Sequence, residues 1–422
     1  MSTRLSALAV TLWLVCAGVA AAQVTNTGTV QVIVTDSDGG RLPGVSVTAE
    51  AADTITRRTV VTDGEGVATL EALAPSAQYT VTVALQGFQD EVRPQILVRS
   101  GQTTSLNFTL ALAGLTETVS VSASTPVVDV TSAISGQDVT LQLTESLPTG
   151  RSYQSYLQLI PGVKPADPDA PGNASSKSGV NYSDVNGQIG RSTDNLYYLD
   201  GVDVTDPVTG TFGANINSEI IQEQQVITGA VPAEYAGGQG LISKVVTKSG
   251  SNEWHGSINY YFQNDGLVAD DEHSTSGGFS TYDTAITLGG PIIQDSLWFF
   301  GSYQKKNRKD DVLDVDTGDV LRSVEDDKDF AFGKLTWQVT PDDRLTATYF
   351  SDPTDISGQR DSSIINIRDF SRKQGGDNYK LDYSRTWGDL ITNAYYFKHE
   401  GELTDTATDN TIRDNVSYAI AD

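Results

Sequence analysis

Apolar and polar residues alternate with a period of two over most of this chain, and the alternation changes character twice. From about Val24 to Leu112 the repeats are short. Val30, Val32 and Val34 face one way, and Asp36-Ser37-Asp38-Gly39-Gly40 then turns the chain. Val45 and Val47 follow, then Thr59 to Thr62 and the turn Asp63-Gly64-Glu65-Gly66. Tyr79, Val81 and Val83, then Ile96 and Val98, then Leu106, Phe108 and Leu110 repeat the pattern. Short period-two runs between turn residues predict a β-sandwich of about seven strands.

The middle of the chain is more broken. Leu196 to Leu199 is an apolar run ending in Asp200-Gly201, a hairpin signal, with strand candidates at Ile220–Thr228 and Leu241–Thr247. Gly237-Gly238 lies between the last two, where a bend needs no side chain. Tyr156 to Ile160, closed by Pro161-Gly162, predicts one short helix, and 165–181 is a loop rich in Pro, Asp, Ser and Gly. These elements predict a small α/β module rich in hydroxyls and amides, with few buried charges. From Trp254 the runs lengthen. WHGSINYYFQ, YDTAITLGG, LWFFGSYQKK, FAFGKLTWQVT, DRLTATYFS, NYKLDYSRTW, LITNAYYFKHE and NVSYAI are strands of about ten residues. Their connections alternate between tight turns, as at 340–343, and a long acidic loop over 305–329. Aromatic residues near strand ends suit a transmembrane barrel with interfacial girdles; the other reading is a soluble antiparallel sheet with one wet face.

Composition narrows this picture. The chain has 422 residues and a formal net charge of −26, which repels a nucleic-acid partner. Met1 to Ala22 carries Arg4, an apolar run and Ala20-Ala21-Ala22 before Gln23. That is an export signal cleaved after Ala22. The one cysteine, Cys16, falls inside it, so the mature chain has neither disulfides nor thiol metal sites. His255, His273 and His399 stand in no ligand spacing, and no H-E-x-x-H motif occurs, so no catalytic residue, metal or cofactor is expected. The acidic turns at Asp36, Asp38, Asp63 and Glu65 match no EF-hand spacing and read as solvated turns. No later run approaches the roughly 18 apolar residues of a membrane helix. Any membrane passage would therefore use strands.

Three resemblances sharpen the reading. GTVQVIVTDSDGGRLPGVSVTAE, VVTDGEGVATLEALAPSAQYTVTVALQGF and NFTLAL resemble the carboxypeptidase-regulatory-like domain, a transthyretin-like sandwich. LPTGRSYQSYLQLIPGV, NLYYLDGVDV and AEYAGGQGLISKVVTKSG resemble the plug domain of TonB-dependent outer-membrane receptors. LGGPIIQDSLWFFGSYQ resembles the barrel start of Oar-like receptors. The implied fold is mostly β: a sandwich over 23–113, a TonB box and plug over 114–250, and the first antiparallel strands of a transmembrane barrel over 251–422. Leu199, Asp200 and Gly201 mark the plug signature, with Arg191 a charge partner for Asp200. Glu117, Thr118, Val119, Ser120 and Val121 are similar to a TonB box, an extended segment able to add to a partner sheet; the other reading is that they begin the plug fold. Loops 165–181 or 203–217 would face the ligand.

The resemblance implies energised uptake of a scarce nutrient such as a siderophore, cobalamin, glycan or peptide. Its partners would be the TonB complex, outer-membrane lipid and an unidentified substrate, with the sandwich in the periplasm. An outer-membrane-anchored carbohydrate-binding or adhesion protein is the alternative. Receptors of this class close about 22 strands around the plug, whereas eight leave room only for side chains. The sequence is therefore expected to be the amino-terminal part of a longer receptor.

Overall fold

The computed structural model describes residues 26–51, 54–113, 135–140, 153–157, 159–161, 163–165, 181–185, 188–189, 195–206, 213–229, 231, 235, 240–268, 277–314, 316–359, 370–387 and 390–407. The first body is a sandwich of seven strands: β1 (Gly28–Asp36), β2 (Ser46–Ala51), β3 (Arg57–Val61), β4 (Val67–Leu73), β5 (Ser76–Ala84), β6 (Glu91–Val98) and β7 (Thr103–Leu110). One sheet has the order β4-β1-β7 and the other β3-β2-β5-β6. The alternation seen in the sequence is the burial pattern: Val30, Val32, Val34, Val47, Val81, Val83 and Phe108 all face one core. Burying one valine or phenylalanine in this way contributes about 1.5–3 kcal/mol.

Polar satisfaction at the sandwich edge runs through Thr62. Its hydroxyl accepts from the Val45 amide at 2.9 Å and donates to the Leu42 carbonyl at 2.8 Å. Thr62→Val keeps the shape and orphans both backbone groups. The expected cost is about 1–3 kcal/mol, read as a lower thermal midpoint of the sandwich by hydrogen exchange across β2 and β3.

The second body is built on a five-stranded sheet, β13-β12-β15-β14-β8. Its strands are β8 (Ser135–Thr140), β12 (Leu196–Leu199), β13 (Val202–Asp203), β14 (Ile221–Gly229) and β15 (Ile242–Thr247). The helix α1 (Tyr153–Leu157) and a small sheet of β9 (Val163–Pro165), β10 (Asn181–Val185) and β11 (Gln188–Ile189) complete it. The helix starts three residues before the predicted one: Tyr153, Tyr156 and Leu157 are the face it buries. The sequence reading of few buried charges is corrected here. Glu223 and Lys244 are buried on β14 and β15, and Asp200 at the β12–β13 turn is nearly so.

The third body is an eight-stranded antiparallel sheet of β16 (His255–Asn264), β17 (Phe279–Ile293), β18 (Leu297–Leu313), β19 (Val320–Gln338), β20 (Asp343–Ser351), β21 (Thr354–Gln359), β22 (Phe370–Trp387) and β23 (Leu390–Ala407). Seven predicted strands fall on observed ones; β21 had no sequence signal, and the predicted NVSYAI strand lies outside the described residues.

The predicted loop over 305–329 is corrected as well. It is mostly paired backbone, with a tip at 314–319. The reason is charge register. Lys305 lies opposite Asp329, Arg308 opposite Asp326 and Lys309 opposite Glu325, which outnumber the like-charge pair of Lys306 opposite Lys328. Opposite charges across a pair favour strand pairing. Lys305 completes this with ion pairs to Asp327 at 3.2 Å and Asp329 at 3.0 Å.

The long sheet has two unlike faces. Ile258, Tyr260, Ile286, Leu288, Leu335 and Trp337 are exposed on one of them. Trp337, Leu345 and Tyr383 form one cross-strand row near the short turns, and Tyr349 beside Tyr379 belongs to a second row. Such a face suits lipid with an aromatic belt. The opposite face packs on the second body. Phe300, Phe332 and Phe350 from β18, β19 and β20 join a core cluster with Tyr153, Leu157, Leu199, Val226 and Val245. The second body therefore sits against the inner face of the sheet, in the place of a plug. No helix among the described residues is long and apolar enough to cross a membrane.

Candidate functional site

The site grows from the β12–β13 hairpin. Asp200 and Gly201 both have positive φ, 46° and 79°. Together they make the two-residue turn in which both central residues are left-handed, as the Asp-Gly pair predicts. The turn projects the Asp200 carboxylate toward the inner face of the long sheet. One oxygen accepts from the Thr247 amide at 2.9 Å. The other accepts from the Thr247 hydroxyl at 2.6 Å and pairs with Lys334 Nζ at 3.0 Å. Lys334 also donates to the Thr247 carbonyl at 3.1 Å. Lys380 Nζ donates to the Asp200 carbonyl at 2.6 Å and pairs with Asp382 at 3.0 Å.

Burial acts to raise the Asp200 pKa, but the ammonium groups of Lys334 and Lys380 and the two Thr247 bonds outweigh it. They hold the carboxyl below its ordinary value. This is a buried anion satisfied at each oxygen, bridging plug and sheet. Two further contacts cross the same boundary. Asn217 Nδ2 donates to Ser302 Oγ at 2.8 Å, and the Asn215 amide donates to buried Asp352 at 2.6 Å. These asparagines belong to the segment predicted to face the ligand, and here they fasten the plug to the sheet.

A cavity of about 600 Å³ lies below this network, between the sandwich, the plug and the sheet. Arg58, Asp200, Lys334, Arg344, Lys380 and Asp382 line it. Glu71 and Asp342 also line it and balance its four cations, and the rest of its wall is mixed polar and apolar. Its described lining brings no nucleophile, base and orienting group into a catalytic arrangement. Among the described residues no group of three or more His, Cys, Asp or Glu is placed to hold a metal.

A second polar cluster lies where the sandwich meets the plug. Arg99 Nε pairs with Asp138 at 3.1 Å, the Ser100 amide donates to Glu223 at 3.4 Å, and Gln225 Nε2 donates to the Ser100 carbonyl at 3.3 Å. Burial, with the Asp138 charge adding to it, raises the Glu223 carboxyl to about 8; burial also raises Asp138 against the opposing pull of Arg99.

The sequence reading located Leu199, Asp200 and Gly201, and the structure gathers them at one hairpin. Arg191, the Glu117–Val121 segment and Ala22 lie outside the described residues, as does 166–180 of the predicted loop. The partners that the structure gives Asp200 are Lys334 and Lys380. Both share the inward-facing phase of their strands, Lys334 with Phe332 and Thr336 and Lys380 with Asn378 and Asp382, but nothing in the sequence links them to Asp200.

Comparison with known proteins agrees with this geometry. Residues 29–111 match the carboxypeptidase regulatory-like domain family, and 246–317 match an outer membrane beta barrel domain family. Over 362 residues the chain is 27% identical to the TonB-dependent transporter Oar of Myxococcus xanthus, covering 74% of this chain and 32% of that protein. The chain is a homologue of the TonB-dependent transporter Oar. It is also 25% identical, over 218 residues, to the probable TonB-dependent siderophore receptor PirA of Acinetobacter baumannii, which covers 48% of this chain and 27% of PirA. Among solved structures, the outer membrane transporter YddB from Escherichia coli superposes with a TM-score of 0.50 at 14% identity, over 62% of this chain and 38% of YddB. That likeness concerns the fold. The matched stretch spans about a third or less of the length of the curated relatives. The match to an outer membrane beta barrel domain falls on the first strands of the long sheet and indicates the outer membrane as its location.

Proposed function

We propose that this chain acts in TonB-dependent uptake of a scarce nutrient across the outer membrane, as the amino-terminal part of a longer receptor. Glu117 to Val121 would be the segment that TonB engages. The observation that supports this reading most is the plug itself. A hydrogen-bonded module is fixed to the inner face of the long sheet by the buried Asp200–Lys334 pair, amide contacts and an aromatic row. A receptor needs such an arrangement: tight enough to block the lumen at rest, polar enough to be rearranged in the presence of water.

In this reading a ligand binds outside, and tension on the TonB segment opens the space beside Asp200. Ferric siderophores are the first substrates to test, because PirA and the ferrienterobactin receptor of Escherichia coli, 26% identical over 207 residues, carry that specificity in their names. The sandwich would then stand on the periplasmic side, below the short turns.

The test is binding of the purified periplasmic domain of TonB to this chain in detergent. Strand addition depends on backbone amides, which proline removes. Val119→Pro is therefore expected to weaken binding at least tenfold. Equal affinity of the wild-type and Val119→Pro chains would overturn the assignment of 117–121.

A further inference from the structure

The sandwich rests on the plug at two paired strands, β8 and β14. Among the described residues, strand β8 is the edge of the plug sheet and has β14 as its one neighbour. It pairs antiparallel from Gly229↔Ser135 to Glu223↔Thr140, with a register break between Ile227 and Gly229 at its first residues. In sequence, residues 114–134, which carry Glu117 to Val121, join the sandwich to Ser135. The sandwich end of this connection is pinned as well. The Ala113 amide donates to Gly87 at 2.9 Å, and the Gln89 amide donates to Ala111 at 2.8 Å.

Tension applied within 114–134 therefore reaches two places, the last turn of the sandwich and the first residue of β8. An edge strand pulled from its end peels one pair at a time, and a register break at that end lowers the first step. Peeling then meets Asp138, fourth in the strand. Its carboxylate, only 5% exposed, is held by Arg99 at 3.1 Å. The same turn of the sandwich grips the strand behind β8. Ser100 N donates to Glu223 and Ser100 O accepts from Gln225, both on β14. Lys244 Nζ on β15 donates to Gln225 Oε1 at 3.2 Å, so the contact reaches a third strand. One turn of the sandwich thus ties β8 to β14 from outside the sheet, and through Gln225 to β15.

We infer that the sandwich is a clamp on the plug's edge strand: its Arg99–Ser100 turn holds β8 against β14, and must undock before β8 can be drawn out past Asp138. The inference rests on the uptake reading for its purpose but not for its test. The clamp makes the sandwich a gate on when the plug yields. A pull that leaves the sandwich docked stalls at the fourth residue of β8.

The experiment is hydrogen exchange on the full chain in detergent micelles. Arg99→Glu places like charges at Asp138. It is expected to speed exchange of the β8 amides at least tenfold while those of β12 and β15, in the middle of the sheet, stay as they were. Arg99→Glu combined with Asp138→Arg restores the pair with reversed polarity, and is expected to return β8 to within about threefold of wild type, as charge pairing requires. Unchanged β8 exchange in Arg99→Glu overturns the clamp. So does equal loosening of β8, β12 and β15, because the contact would then support the whole plug rather than its edge. Failure of TonB binding or of uptake, with the exchange pattern intact, would overturn the transport reading and leave the clamp standing.

Discussion

Replacing Lys334 by methionine is expected to loosen the plug from the barrel wall by about 3–5 kcal/mol, the usual cost of leaving one member of a buried ion pair alone. The Asp200 carboxylate would keep its two bonds from Thr247 but lose its facing ammonium. Lys380 does not substitute fully, since it donates to the Asp200 carbonyl and pairs with Asp382. The change is measured as faster hydrogen exchange in β15, whose last residue Thr247 is held by the same network, against unchanged exchange in the sandwich strand β5. Asp200→Asn in the Lys334→Met background is expected to recover more than half of the loss, because a neutral amide needs no counter-ion in that site. If the double variant is as loose as the sum of the singles, Lys334 and Asp200 act independently and the pair is not the fastening.

Glu223 gives the second large effect, and its sign follows from its surroundings. Burial and the neighbouring Asp138 raise the carboxyl in the fold to about 8, against 4.5 for the free group. The native state therefore holds this proton over a range where the unfolded chain has lost it. The stability tied to Glu223 is complete below pH 4.5, declines as pH rises, and is gone above about 8. Each pH unit in that window costs about 1.4 kcal/mol, so the total approaches about 5 kcal/mol. The raised Asp138 contributes in the same direction. Ser100, Lys244 and Arg99 oppose the shift without cancelling it. Glu223→Gln is expected to remove most of the slope, making the plug more stable than wild type at pH 8 and equal to it at pH 4. Denaturant midpoints at the two pH values check this, and parallel pH curves for wild type and variant would refute it.

The two residues also show where sequence reading stops. Asp200-Gly201 was legible as a turn because the requirement for two left-handed residues is local and few side chains meet it. Glu223 sits in IQEQQVITG, within a module read as rich in amides with few buried charges. Its burial comes from the sandwich turn at Ser100, more than a hundred residues earlier in the chain. The hairpin over β18 and β19 teaches the same lesson from the other side. Its basic run 305–309 and acidic run 325–329 fell within one predicted acidic loop, and only register puts them opposite one another.

By itself the sequence determined what short-range physics controls. Period-two burial made the sandwich and the two-faced barrel strands, because alternate side chains of a strand must face opposite environments. Turn chemistry fixed the Asp200-Gly201 hairpin, and three separated motifs marked the plug. The tertiary structure alone decided the partners: Lys334 and Lys380 for Asp200, Arg99 for Asp138, and Asn217 for Ser302. Such pairs join residues with no shared period or spacing. Their energy comes from burial, which exists only once three bodies have packed together.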